Sequence, residues 1–331
     1  MRLIDWVREY DRWPIVPLAG YPGIQLTQST VKQNMFNAEL QCRSIYKLME
    51  LTRPDAAFVM MDLSVEAGAL GLPVRYPLGD SATIEWHPVK AVADLDQYKA
   101  VDPLYDGRVW VFLETVRLLC RRMELPIGVY VSGPFTLAGL MIGANNIAMA
   151  TIDSPDIVHA TVNFCEQVII EYAKALQEAG ATIICILDPT SCILSPKAFW
   201  DFAGRSIQNL VRHLDTRTIL HICGNTEHLI QDMCRTGVHG LSLDSLVDIP
   251  KIAPKIPEDV VMIGNVDPVR TLLQGDRQQV RRDTIRLMEA MRPYDNFIVS
   301  TGCDLPSETP LENIVELVET AKTFDRRSAG S

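Results

Sequence analysis

The sequence predicts an α/β protein, a (β/α)8 TIM barrel with an N-terminal helical segment and an insertion after its second strand. Three observations lead there. Eight short, apolar, mostly β-branched runs are spread along the chain, with the near-continuous apolarity of parallel strands covered on both faces. Longer stretches of helical periodicity separate them, the alternation that builds βαβ units. Eight such units suit a closed barrel better than a doubly wound sheet, although periodicity alone leaves both open.

The strands are read at Ile15–Ala19, Ala57–Met61, Gly128–Ser132, Thr182–Ile186, Thr218–Ile222, Gly240–Asp244, Val260–Gly264 and Phe297–Thr301. Helix-like patterns occupy residues 1–50 and are expected to cap the barrel. The connection 62–126 is long and carries Pro73, Tyr76, Pro77, Trp86 and Pro88. Its stretches Val74–Pro77 and Ala82–Trp86 suit an extra hairpin, and barrel insertions gather at the active-site mouth. Ser154–Glu178 follows the third strand, with Ser154 and Pro155 as N-cap and first turn. Further helices are read at Pro196–Leu214, at Thr226–Thr236 (stopped by Gly237), at Pro268–Met291 and at Pro310–Phe324. All 331 residues are expected to form one domain, 1–331, since α/β barrels often use this much chain.

The net charge of −10 and the scattered Lys and Arg lack the basic stripe of a nucleic-acid binder, so no nucleic-acid partner is expected. Eight cysteines form no dense disulfide framework. The N-terminus has no secretory apolar region, and no apolar stretch is long enough to span a bilayer. A reducing cytoplasm is the expected compartment, without membrane association. Neither GxxxxGK[ST] nor GxGxxG occurs, so a nucleotide cradle is not supported.

In such a barrel, chemistry sits at the C-terminal ends of the strands. Those ends offer Asp62 and Glu66, Asp188, His221 and Cys223, Asp244, Asn265 and Asp267, and Cys303 with Asp304. His221 and Cys223 are two apart on an extended run, so both side chains point the same way. Cys303 ends the last strand at the same mouth, and Asp244 can approach from strand six. One imidazole and two thiols suit zinc and select against magnesium and calcium. Taken singly, each thiol is more often a small buried hydrophobe; the His-x-Cys pair with a third ligand outweighs that reading. Cys42, Cys120, Cys165 and Cys234 fall in helical patterns, Cys185 is packed inside a strand, and Cys192 lies near the mouth with no named partner. Asp62 either contacts substrate or caps the next helix, and Asp267 reads best as an N-cap. Tyr21, in the turn Tyr21-Pro22-Gly23, either contacts a ligand or reverses the chain. Asp62, Tyr21, Asp188 and Asn265 are the candidate substrate contacts.

The runs Met61-Asp62-Leu63-Ser64-Val65-Glu66-Ala67, Ser132-Gly133-Pro134-Phe135-Thr136-Leu137, His221 to Thr226, Gly264-Asn265-Val266-Asp267-Pro268 and Gly302-Cys303-Asp304-Leu305-Pro306 carry a resemblance over nearly the whole chain. It resembles the uroporphyrinogen decarboxylase superfamily and, within it, the zinc-dependent corrinoid methyltransferases such as the methylcobamide:coenzyme M methyltransferases. The resemblance implies zinc on His221, Cys223 and Cys303, with Asp244 as the nearest match to an acidic fourth ligand. It implies methylcobalamin or another methyl-corrinoid as co-substrate, a corrinoid protein as partner and a small-molecule methyl acceptor, either a thiol such as coenzyme M or tetrahydrofolate. Homodimers also occur in this superfamily. The decarboxylases carry a Gln-Ala-Gly-Arg motif; the corresponding place reads Pro17-Leu18-Ala19-Gly20-Tyr21-Pro22, without arginine. Tetrapyrrole decarboxylation is therefore the runner-up, with Arg75 its one candidate cation, and a non-catalytic corrinoid- or zinc-binding barrel is the third reading.

Overall fold

The computed structural model describes residues 2–326; Met1 and residues 327–331, the ends of the expected 1–331 unit, lie outside the described residues. Seven parallel strands form one curled sheet: β1 (Ala57–Phe58), β4 (Ile127–Ser132), β5 (Ile183–Leu187), β6 (Arg217–Ile222), β7 (Gly240–Leu243), β8 (Val261–Val266) and β9 (Phe297–Thr301), in that spatial order. The insertion contributes β2 (Val74–Arg75) and β3 (Thr83–Ile84), paired antiparallel, the hairpin its sequence suggests.

The expected eighth strand, Ile15–Ala19, is a correction. Only Ile15 makes a β-bridge, to Val299. Pro14 and Pro17 lack an N–H and cannot continue a ladder. The segment is nonetheless seated between the sheet's two edges: Val16 N–H donates to Val299 O at 2.9 Å and Asp55 N–H to Ile15 O at 2.9 Å. The Asp55 carboxylate adds bonds from Ile15 N–H (2.7 Å) and the Arg12 guanidinium.

Phe58, Ile183, Ile219, Ile263 and Ile298 point into the curl of the sheet with Val16 and Leu18, and leave only a minute apolar cavity. Leu3 and Trp6 of the helix Leu3–Val7 reach the same interior. They lie at the start of the strands, where Leu3 touches Gly240 and Arg217 stacks on Trp6. The sheet thus encloses a packed apolar core, and the expected site residues lie toward the C-terminal ends of its strands.

Two expected helices are interrupted. Pro196–Leu214 becomes Pro196–Phe199, a wider π-turn at Trp200–Gly204, and Arg205–Arg212. Pro268–Met291 breaks into Pro268–Leu273 and Arg277–Met291, where Asp276 caps the second piece through Gln279 N–H at 2.8 Å. The helices Pro134–Ile142 and Ala144–Asp153 were not foreseen. Among the described residues no single helix is long and apolar enough to cross a membrane; that pair is by composition, but it bends by 102°.

Candidate metal centre

His221 sits two residues beyond Ile219 on β6, so it continues the interior-facing row, and Cys223 extends that row past the strand end. Gly224 follows at φ +92°, a left-handed conformation that suits glycine. Its N–H donates to Asp244 Oδ2 at 2.8 Å, tying the Cys223 turn to the loop after β7. Cys303 arrives from the end of β9, where Gly302 lies against Ser245 with no room for a side chain.

The three expected ligands meet. His221 Nε2 lies 3.0 Å from Cys223 Sγ and 3.7 Å from Cys303 Sγ, and the two sulfurs are 3.8 Å apart. They are the one group of metal-capable His, Cys or acidic side chains found among the described residues. A tetrahedral ion with Zn–S near 2.3 Å and Zn–N near 2.05 Å sets S···S at about 3.8 Å and S···N at about 3.6 Å. Two of the three separations match those edges, so the set fits zinc. His221 is 1% exposed, and its Nδ1 lies 3.1 Å from Ser242 O and Oγ. A backbone carbonyl can only accept, so Nδ1 carries the proton and the Nε2 lone pair faces the sulfurs.

Burial alone would lower the His221 pKa, but contacts with Cys303 and the Ser242 carbonyl outweigh it and raise it. The Cys223 thiol is lowered because Cys303 donates to it, while that same bond and burial push Cys303 up.

The other expected site residues are placed differently. Asp244 is not in the metal-capable group; its oxygens take Gly224 N–H and Leu246 N–H. Asp188 is fully buried and accepts from Thr136 N–H (2.7 Å) and the Ser191 hydroxyl (2.6 Å). It serves as a tertiary cap for the helix Pro134–Ile142, and burial pushes it up to about 6. Asn265 donates to the carbonyls of Asp244 and Val247, bracing the loop after β7. Tyr21 is buried and its hydroxyl donates to Met61 O. Asp62 accepts from Ser64 N–H at 2.7 Å and pairs with Arg108. Asp267 accepts from Val269 and Arg270 N–H, the N-cap its sequence suggests.

Arg108 and Tyr130 escaped the sequence reading. Arg108, buried at the start of the helix Gly107–Arg122, bonds Tyr76 Oη at 3.0 Å and Ser64 Oγ at 3.1 Å and lies under the rings of Tyr76 and Phe36. It fastens the hairpin to the end of β1. Its Nε, the Tyr130 hydroxyl and Asp304 Oδ2 are buried without hydrogen-bond partners among the described residues. The only available signals were a helical Arg and a mid-strand Tyr, and neither spacing is unusual.

Glu66 is wholly buried and accepts from Ser132 N–H (2.6 Å) and the Ser132 hydroxyl (3.1 Å). Burial lifts its pKa to about 7. The folded state therefore holds this proton more tightly than the unfolded chain. Its stabilising share is complete below the ordinary carboxyl range and is lost as pH rises through about 7. Glu66→Gln, which stays neutral, should melt like the parent near pH 5 and be more stable by roughly 2 kcal/mol near pH 8. Equal shifts at both pH values in thermal melts would refute this.

The family model described as uroporphyrinogen decarboxylase (URO-D) matches residues 7–324. The methylcobamide:CoM methyltransferase MtbA of Methanosarcina mazei is 34% identical over 327 residues, 93% of this chain and 94% of that protein. A uroporphyrinogen decarboxylase of Alkalilimnicola ehrlichii is 25% identical over 304 residues, 87% of this chain and 82% of that protein. Among solved structures, a methyltransferase from Methanosarcina mazei superposes with a TM-score of 0.87 at 25% identity, covering 95% of this chain and 94% of that one.

Proposed function

This chain belongs to the uroporphyrinogen decarboxylase family, and from that premise we propose that it is a zinc-dependent methyltransferase. It would carry a methyl group from a protein-bound methyl-corrinoid to a small acceptor, a thiol such as coenzyme M or alternatively tetrahydrofolate. Its likeness to named methylcobamide:CoM methyltransferases supports the methyltransferase class. The observation that carries the rest is the meeting of His221 Nε2, Cys223 Sγ and Cys303 Sγ within 4.8 Å at the end of the sheet.

His221, Cys223 and Cys303 would hold the zinc; Asp244, whose oxygens take Gly224 N–H and Leu246 N–H, would serve as a fourth ligand only by giving up one of those bonds. Zinc at this place would supply Lewis acidity that keeps an acceptor thiol in its thiolate form. The chain's part is orientation: Ser242 O fixes the His221 tautomer, and the Asp244 bond to Gly224 N–H holds Cys223 beside it. The acceptor would take the methyl group from the corrinoid co-substrate, which would keep the electron pair of the broken bond. Asp62 and Tyr21 would contact substrate from the segments after β1 and around Ile15, with Arg108 holding Asp62 in place, and the corrinoid protein is the partner that would cover the site. Residues 1–331 act as one domain in this proposal, with the extended segment at Ile15 as the eighth stave. The free thiols fit a reducing compartment such as the cytoplasm. Decarboxylation has less support, because Arg108 is already paired with Asp62 and Arg75 stands exposed on the hairpin.

The test is zinc analysis with a spectroscopic assay. The protein should hold about one zinc per chain and form cob(I)alamin from methylcobalamin plus one of the two acceptors. Chelation should abolish turnover and zinc should restore it. A wild type that stays metal-free after zinc addition overturns the proposal.

A further inference from the structure

We propose that Cys223 and Cys303 form a redox switch: in the metal-free protein a small-molecule disulfide oxidises them to an intramolecular disulfide that closes the site to zinc. The inference rests on the zinc reading above. Its basis is geometric. The two sulfurs stand 3.8 Å apart, and a disulfide needs about 2.0 Å. Closing the pair takes an approach of about 1.8 Å, shared by two side chains that both stand at loop ends. Both thiols are partly exposed, whereas Cys42, Cys165 and Cys185 are buried. The same separation matches the edge of a tetrahedral zinc site, so one pair of side chains serves either the metal or the bond, never both.

The exchange balances without further reagents. The Cys223 sulfur attacks one sulfur of the small disulfide, forming a mixed disulfide and releasing one small thiolate. The Cys303 sulfur then attacks Cys223 Sγ and releases the second. The protein loses two thiol protons, the two released thiolates take them up, and the small disulfide is reduced. Bound zinc protects, because both sulfurs are then ligated. Functionally, oxidising conditions that would destroy a cob(I)alamin product would also switch the enzyme off.

The experiment treats chelator-stripped and zinc-loaded wild type with oxidised glutathione. Peptide mass mapping should join the Cys223 and Cys303 peptides in the stripped protein only. Zinc uptake should fall at least about 10-fold and return after reduction with dithiothreitol. Cys303→Ser should stop at a glutathione adduct on Cys223. A stable adduct in the wild type, a bond from Cys223 to Cys192, or unchanged thiols in a protein that still binds zinc each overturns the switch and leaves the methyltransferase reading intact. Failure of reduced wild type to take up zinc overturns both.

Discussion

Replacing Cys303 by alanine is expected to strip the protein of zinc and cut methyl transfer at least about 100-fold. The size follows from position. Groups that merely hydrogen-bond a metal ligand cost about 10- to 100-fold when removed, and Cys303 Sγ is itself one of three atoms that could touch the ion. Its loss leaves His221 and Cys223, two ligands on one strand end, and nothing from the far side of the mouth. His221→Ala should act alike, because the ring is 1% exposed and held by Ser242. Metal analysis and the cob(I)alamin assay check both variants. Circular dichroism should show the fold intact, since Cys303 is only partly buried. Full zinc occupancy in Cys303→Ala would remove it from the ligand set.

The second large effect concerns stability. Gly133→Ala would place its Cβ 2.3–2.5 Å from the Asp188 carboxylate and Cβ, closer than non-bonded atoms can approach. The carboxylate cannot retreat: it is fully buried and holds Thr136 N–H and the Ser191 hydroxyl. Either the helix Pro134–Ile142 shifts or its cap breaks, and overpacking plus a lost buried bond costs about 2–4 kcal/mol. A chain of this size should lose roughly 3–6 °C in Tm. Wild-type melting of Gly133→Ala would show that the loop between β4 and this helix yields freely. Because Thr190 N–H also bonds Thr136 Oγ, the defect should spread to the loop after β5, and hydrogen exchange there would report it.

Much of the architecture was legible in the linear pattern. Seven of the eight apolar runs became strands, with β9 matching its expected range of Phe297–Thr301, because a strand buried on both faces needs an unbroken apolar run. The run at Ile15 misled. It has that composition, but the prolines on either side of Ile15 and Val16 limit it to one bridge. The interrupted helices were misjudged because helical periodicity persists across a π-turn or a capped break. The pair of helices after β4 was missed because Pro134–Ile142 is apolar on nearly all sides, so no face stands out.

The site divides along the same line. The sequence by itself determined that His221 and Cys223 face one way and that Cys303 ends a strand, since side-chain alternation along an extended chain is a local property. Only the tertiary structure decided the rest. It brought Cys303 to 3.8 Å from Cys223 across 80 residues, drew Asp188 inward to cap a helix, set Asp244 to hold Gly224, and fixed Asp62 against an Arg108 supplied by the insertion. An acidic residue at a strand end has no local sign of whether it meets solvent, a helix terminus or a cation. That depends on which segment packs against it, and packing is settled by burial and hydrogen-bond satisfaction over the whole fold.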